Sequence, residues 1–147
     1  TNTFYFAKHN PTTWTPISTG DFFTQGNNVR FNPQFTDSGI SSNFWLATGV
    51  NEIGKSNILY SNDPTSGWSE AKGDLPSNAN DVTQYTKTTD NFDNIYGKDI
   101  RIAVGSYPNI VTSDYTDGIQ WTEVLGQEDQ GTVYSITTRN PKYPLSD

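Results

Sequence analysis

Trp14, Trp68 and Trp121 lie 54 and 53 residues apart, and the residues leading up to each agree. The stretch "FYFAKHNPTTW" (Phe4–Trp14) lies over "ILYSNDPTSGW" (Ile58–Trp68) without a gap, and "IVTSDYTDGIQW" (Ile110–Trp121) fits with one inserted residue. Similar tails follow, "TPI", "SEA" and "TEV". Upstream, "FWLATGV" (Phe44–Val50) matches "IRIAVGS" (Ile100–Ser106), each with three alternating apolar positions and then Gly49 or Gly105. A third phrase opens the unit: Val29, Val82 and Val133 each lead a short alternating stretch, "VRF", "VTQY" and "VYSI". A chain that repeats itself at this period builds the same supersecondary unit each time, and neighbouring units bury one another's apolar faces.

Each unit reads as four short strands. A Val-led strand comes first, then a polar loop ("TDSGISS" or "FDNIYGK"), then a strand ending in glycine. A third strand, an Asp/Gly turn and a Trp-led strand complete it. No window carries a capped apolar stripe of helical period, so essentially no helix is expected. Four strands in about 50 residues is the size of a propeller blade. The expectation is an all-β chain of antiparallel four-stranded blades, about three β-propeller-type repeats of roughly 53 residues. The divisions are a partial blade at 1–28, blades at 29–81 and 82–131, and a partial blade at 132–147. Closed propellers take about 4–8 blades. Three do not close alone, which points to a homo-oligomer or to the remainder of a larger chain, with the two ends able to complete one shared blade.

The corner phrase resembles the Asp-box, or sialidase-type, repeat of β-propellers, whose pattern is Ser-x-Asp-x-Gly-x-Thr-Trp. Ser61, Asp63 and Trp68 match it in register, with Thr65 where glycine is expected. Asp117, Gly118 and Trp121 fit a shortened form in which Ser113 is displaced by an insertion. The first copy keeps only Trp14, with Ala7 and His9 replacing Ser and Asp. The combination also looks like repeats common in phage and large-virus structural proteins. In Asp-box proteins the box is a structural corner remote from the binding face. The resemblance therefore implies corners at these residues, each closed by turn hydrogen bonds and anchored by its Trp, and no active site.

Composition narrows the partners. A formal net charge of −7 and a pI near 4.4 disfavour nucleic acid and anionic membrane surfaces. No apolar run approaches a membrane span, and no charged-then-apolar leader opens the sequence. Cysteine is absent, which removes disulfides and thiolate metal sites. Methionine is absent too, so residue 1 reads as the start of a processed or excised product. Mean hydropathy is low at −0.69, yet aromatics make up 14% of the chain, which favours a folded domain over a disordered one. The sole N-x-Ser/Thr acceptor pattern, Asn10-Pro11-Thr12, is blocked by its proline.

The three arginines, Arg30, Arg101 and Arg139, invite comparison with a sialidase triad, but they occupy unlike positions in the unit. They read as surface residues pairing with some of the sixteen acids. His9 is the single histidine, too few for a multi-His metal site or a Ser-His-Asp triad, and it reads as a turn residue. Asp90, Asp93 and Asn94, and Asp114 with Asp117, carry calcium-type ligands without EF-hand spacing, so no cofactor is expected and calcium is the one ion to consider. Trp45, Tyr96, Tyr107, Tyr115 and Tyr143 fall among polar residues, where aromatic rings beside Asn and Thr suit sugar stacking. Tyr107 and Tyr115, with Trp45 and Tyr96, are the ligand-binding candidates.

The functional expectation is a non-catalytic structural or assembly module on a virion or extracellular surface, partnered by copies of itself or other structural proteins. The first alternative is a carbohydrate-binding, lectin-like propeller whose partners are glycans. The second is a fragment of a sialidase-like glycoside hydrolase, which requires a carboxylate pair the sequence does not single out.

Overall fold

The computed structural model describes residues 5–7, 12–16, 23–32, 34–36, 39–42, 44–52, 55–86, 99–113, 119–127 and 131–137. These residues form strands and turns, with no helix, as the alternating patterns predict. In chain order the strands are β1 (Tyr5–Phe6), β2 (Thr15–Pro16), β3 (Gln25–Phe31), β4 (Gln34–Thr36), β5 (Gly39–Ser42), β6 (Trp45–Val50) and β7 (Ile58–Ser61). There follow β8 (Ser69–Glu70), β9 (Lys72–Gly73), β10 (Ala79–Thr86), β11 (Asp99–Gly105), β12 (Ile110–Ser113) and β13 (Gln120–Glu123).

Two larger sheets repeat one connectivity. The first runs β3-β6-β7-β8 and the second β10-β11-β12-β13, each an antiparallel meander in chain order. The second gains β9 as a parallel fifth strand on β13, which makes it mixed. The link between the sheets therefore adds to the far edge of the sheet it is about to enter. β1–β2 and β4–β5 form separate two-stranded hairpins, the latter inside the connection expected as a polar loop.

The sheets pack face to face. Leu46 and Ile58 of the first meet Val82, Ala103, Val111 and Trp121 of the second in the main core, with Phe44, Ala71 and Ala79. A smaller cluster of Phe23, Ala47, Leu59 and Trp68, with Trp45 against it, covers the opposite face of the first sheet. Neighbouring residues of β6 and β7 thus bury toward opposite sides, which is why β6 is buried without interruption from Leu46 to Gly49. The glycines ending the second strands have a steric reason. A Cβ on Gly49 would collide with the Gln25 carbonyl oxygen, and one on Gly105 with the Asn78 carbonyl oxygen, where the first strand of each sheet begins.

The stretch led by Val133 differs from expectation. Among the described residues it forms no ladder beyond a single bridge between Ser106 and Thr132. Side chains of the preceding first strand help to hold it, and Val133 N–H donates to the Gly105 carbonyl at 3.0 Å.

Candidate functional site

Both first strands carry a β-bulge at the same place. Asn27 is the extra residue where β3 meets β6, and Asn80 where β10 meets β11. A bulge removes its residue from the ladder and re-aims the side chain. Here each bulged asparagine reaches into the next unit: Asn27 Nδ2 donates to the Ala79 carbonyl at 2.9 Å and to Asn80 Oδ1 at 3.4 Å, and Asn80 Nδ2 donates to the Val133 carbonyl at 2.9 Å. The next residue repeats the move. Asn28 donates its amide to Asp81 Oδ1, while Asp81 Oδ2 accepts Ser135 Oγ–H at 3.0 Å and Ile136 N–H at 3.1 Å.

Asp81 is thus the central node. It is 3% exposed, and Val82 N–H at 2.8 Å and the Arg30 guanidinium at 3.5 Å complete its partners. A buried carboxylate is tolerable where charged or dipolar donors surround it, and these donors come from three successive units. The pairs Asn27–Asn28 and Asn80–Asp81, each just ahead of a strand-leading valine, are the sequence signal for this junction. The sequence pattern alone assigns these pairs no role.

A second junction uses the asparagine just before each corner phrase, Asn57 and Asn109. Asn57 Nδ2 donates to the carbonyls of Pro76 and Ser77 at 2.9 and 2.7 Å, and Asn109 Nδ2 to those of Gly105 at 3.0 Å and Gly131. Their own carbonyls accept Gly49 N–H and Gly105 N–H at 3.1 and 3.0 Å. Each amide ties the turn between second and third strands to the chain entering the following unit, and both are buried.

The corner residues lie as follows. The Ser61 hydroxyl sits 2.7 Å from the carbonyls of both Asp63 and Ser66 and accepts Asp63 N–H at 3.1 Å. Asp63 Oδ1 accepts Thr65 N–H and Oγ1–H at 2.9 and 2.7 Å, and Oδ2 accepts Ser66 Oγ–H at 3.2 Å. Trp68 Nε1 closes the corner onto the Pro64 carbonyl at 3.2 Å. Ser113 likewise bonds the Gln120 carbonyl, 2.8 Å away and next to Trp121. Trp68 and Trp121 are buried, at 7% and 0% exposed, whereas Trp14 is 59% exposed. Asp117 and Gly118 lie outside the described residues, as does His9.

Of the aromatic candidates, Trp45 and Tyr107 are among the described residues, the first in one sheet and the second just past a strand of the other. Trp45 begins a strand, half-buried with its ring centroid 5.0 Å from that of Phe31, so it is a packing residue rather than a loop residue. Tyr107 follows the glycine end of β11, the opposite end of the equivalent second strand, and is 46% exposed. Tyr96, Tyr115 and Tyr143 lie outside the described residues, as do Arg139 and the acidic stretches at 90–94 and 114–117.

One arginine departs from expectation. Arg101 is fully buried between the sheets, its guanidinium carbon 4.4 Å from the centroid of the Phe44 ring, which itself stacks on Tyr60. The register explains this: Arg101 stands opposite Ser113 as Trp45 stands opposite Ser61, so it occupies a core-facing position of its unit. A planar guanidinium can lie flat on an aromatic ring where an ammonium cannot. Arg30 does pair with an acid, as expected.

A groove of ≈ 490 Å³ runs beside the link between sheets, lined by Lys55, Asn57, Glu70, Lys72, Pro76 and Ser77 among others. Glu70 already accepts Ser56 N–H at 3.1 Å, and Asn57 Oδ1 is enclosed without a partner, away from the open space. Among the described residues no group of three or more acidic or histidine side chains gathers to hold a metal ion, and no helix is long and apolar enough to cross a membrane. No family model, no curated protein and no solved structure matches the chain.

Proposed function

We propose that this chain is a non-catalytic, β-propeller-type repeat module with a structural or assembly role, of the kind borne on a virion or extracellular surface. The observation that carries this reading is the Asp81 node. It joins Asn28 and Arg30 of one unit to Ser135 and Ile136 of another, and Asn27 and Asn80 repeat the same reach across 53 residues. A molecule that places buried polar groups at the seams between units holds those units in one register. Its sheets are then rigid pieces to be stacked, and the corners close their outer edges as Asp-box corners do.

The test combines turnover and sugar titration. A panel of chromogenic glycosides is expected to give no hydrolysis, and titrated mono- and disaccharides no saturable change in tryptophan emission. Turnover abolished by substituting a single carboxylate would sink the proposal in favour of a hydrolase. A saturable response lost in Tyr107→Ala would favour the lectin-like alternative, since Tyr107 is the exposed aromatic candidate among the described residues.

A further inference from the structure

Three hairpins of this chain share one register. β1–β2 pairs Tyr5 with Pro16 and Phe6 with Thr15. β7–β8 pairs Leu59 with Glu70 and Tyr60 with Ser69, and β12–β13 pairs Val111 with Glu123 and Thr112 with Thr122. Tyr5 is therefore the counterpart of Leu59 and Val111, and Trp14 of Trp68 and Trp121. The surroundings differ sharply. Leu59 and Val111 are 0% exposed and Tyr5 54%, while Trp68 and Trp121 are buried and Trp14 is 59% exposed. Two aromatic side chains that the repeat buries elsewhere stand in solvent on the first hairpin.

The complementary surface is on the same chain. Val111 and Trp121 bury against Leu46 and Ile58 of the first sheet. By register, the counterparts of Leu46 and Ile58 on the second sheet are Ile102 and Ile110: Leu46 faces Tyr60 as Ile102 faces Thr112, and Ile58 faces Thr48 as Ile110 faces Val104. Both isoleucines are half-buried where their counterparts are fully buried. The segment from Gly131 to Thr137 already lies against β10 through Asn80 and Asp81, as β10 lies against β3. Among the described residues this segment stands where the first strand of a further unit would, and β1–β2 is a third-and-fourth-strand hairpin that pairs with no larger sheet.

We infer that a second copy of this chain covers that face: the β1–β2 hairpin of one copy seats Tyr5 and Trp14 on the Ile102–Ile110 face of another, beside the segment begun at Gly131. This rests on the repeat-module reading above. The contact joins unlike faces, so two copies close into a ring or many extend into a filament, according to whether the rotation closes.

Sedimentation velocity of the 147-residue chain from micromolar to sub-millimolar concentration tests this. The wild type is expected to associate. Trp14→Ser, at an exposed position, is expected to keep the wild-type circular dichroism and to weaken association by about a hundredfold. That variant retains its isoleucine face, so an excess of it added to wild type takes up wild-type hairpins and yields a mixed dimer. A wild type that stays monomeric throughout overturns the inference. So does a Trp14→Ser chain that associates like the wild type, and in that case the assembly role survives while the hairpin assignment does not. Glycoside turnover, by contrast, would defeat the assembly role whatever the native mass.

Discussion

Asn28 donates its side-chain amide to the carboxylate of Asp81, 53 residues further on, so that one repeat is bonded to the next through equivalent positions. The carboxylate also holds Val82 N–H, Ser135 Oγ–H and Ile136 N–H. Replacing it with alanine leaves Val82 N–H buried, and the donors of Asn28, Ser135 and Ile136 part-buried, without this acceptor. Asp81→Ala is expected to lower unfolding stability by about 3 kcal/mol, and Asp81→Asn, which keeps one acceptor oxygen, by roughly half as much. Arg30→Ala, at a residue half in water and 3.5 Å from the acid, is expected to cost under about 1 kcal/mol. Urea denaturation of the three variants checks the order. Equal losses for Arg30 and Asp81 would mean that the ion pair, and not the hydrogen-bond node, holds the seam.

The glycines at the ends of β6 and β11 make a steric prediction. Gly105 lies so close to the Asn78 carbonyl that a methyl group there forces the start of β10 away from its own sheet. Gly105→Ala is expected to destabilise by about 3 kcal/mol. Gly126 has a positive φ of 86° but nothing within 4 Å of an added Cβ, so Gly126→Ala meets backbone strain alone, about 1 kcal/mol. Comparing the two melting curves separates crowding from conformational strain. A reversed order would place Asn78 elsewhere.

Much of this fold was legible because its determinants are periodic. Alternation around Leu46, Ile58, Ala103 and Val111 marks strands, and the paired glycines mark the ends of the second strands. The seams were less legible. Asn27 and Asn80 act through bulges, and a bulge is a property of two paired strands that no single window displays. Arg101 is illegible for a related reason: charge alone argues for the surface, and only the register places it over Phe44. Trp14 looked like Trp68 and Trp121 because identity of residue says nothing about whether the opposing sheet is there.

The corner at Ser61 makes a prediction about the departure from the Asp-box pattern. Glycine is expected at position 65, yet Thr65 bonds Asp63 Oδ1 through both its amide and its hydroxyl. Thr65→Gly is therefore expected to destabilise by about 1 kcal/mol, through the lost hydroxyl bond and the added freedom of the unfolded chain. Ser61→Ala, which strips a buried hydroxyl bridging two carbonyls and one amide, is expected to cost about 2 kcal/mol. A Thr65→Gly variant more stable than wild type would mean that this corner is strained by its threonine.

Arg101 separates packing from charge. Its guanidinium carbon lies 4.4 Å from the centroid of the Phe44 ring inside the core, and that ring stacks on Tyr60. Arg101→Ala leaves both a cavity and a bare aromatic face, and is expected to cost about 3–4 kcal/mol. Arg101→Lys keeps the charge and loses the planar contact, at about 1–2 kcal/mol. Arg101→Met keeps most of the volume without a charge to desolvate, so it is expected to fall nearer wild type than the lysine variant. Thermal unfolding of all three gives the order. If lysine proves the mildest replacement, the positive charge itself is required in the core, and packing over Phe44 is the lesser part of what Arg101 contributes.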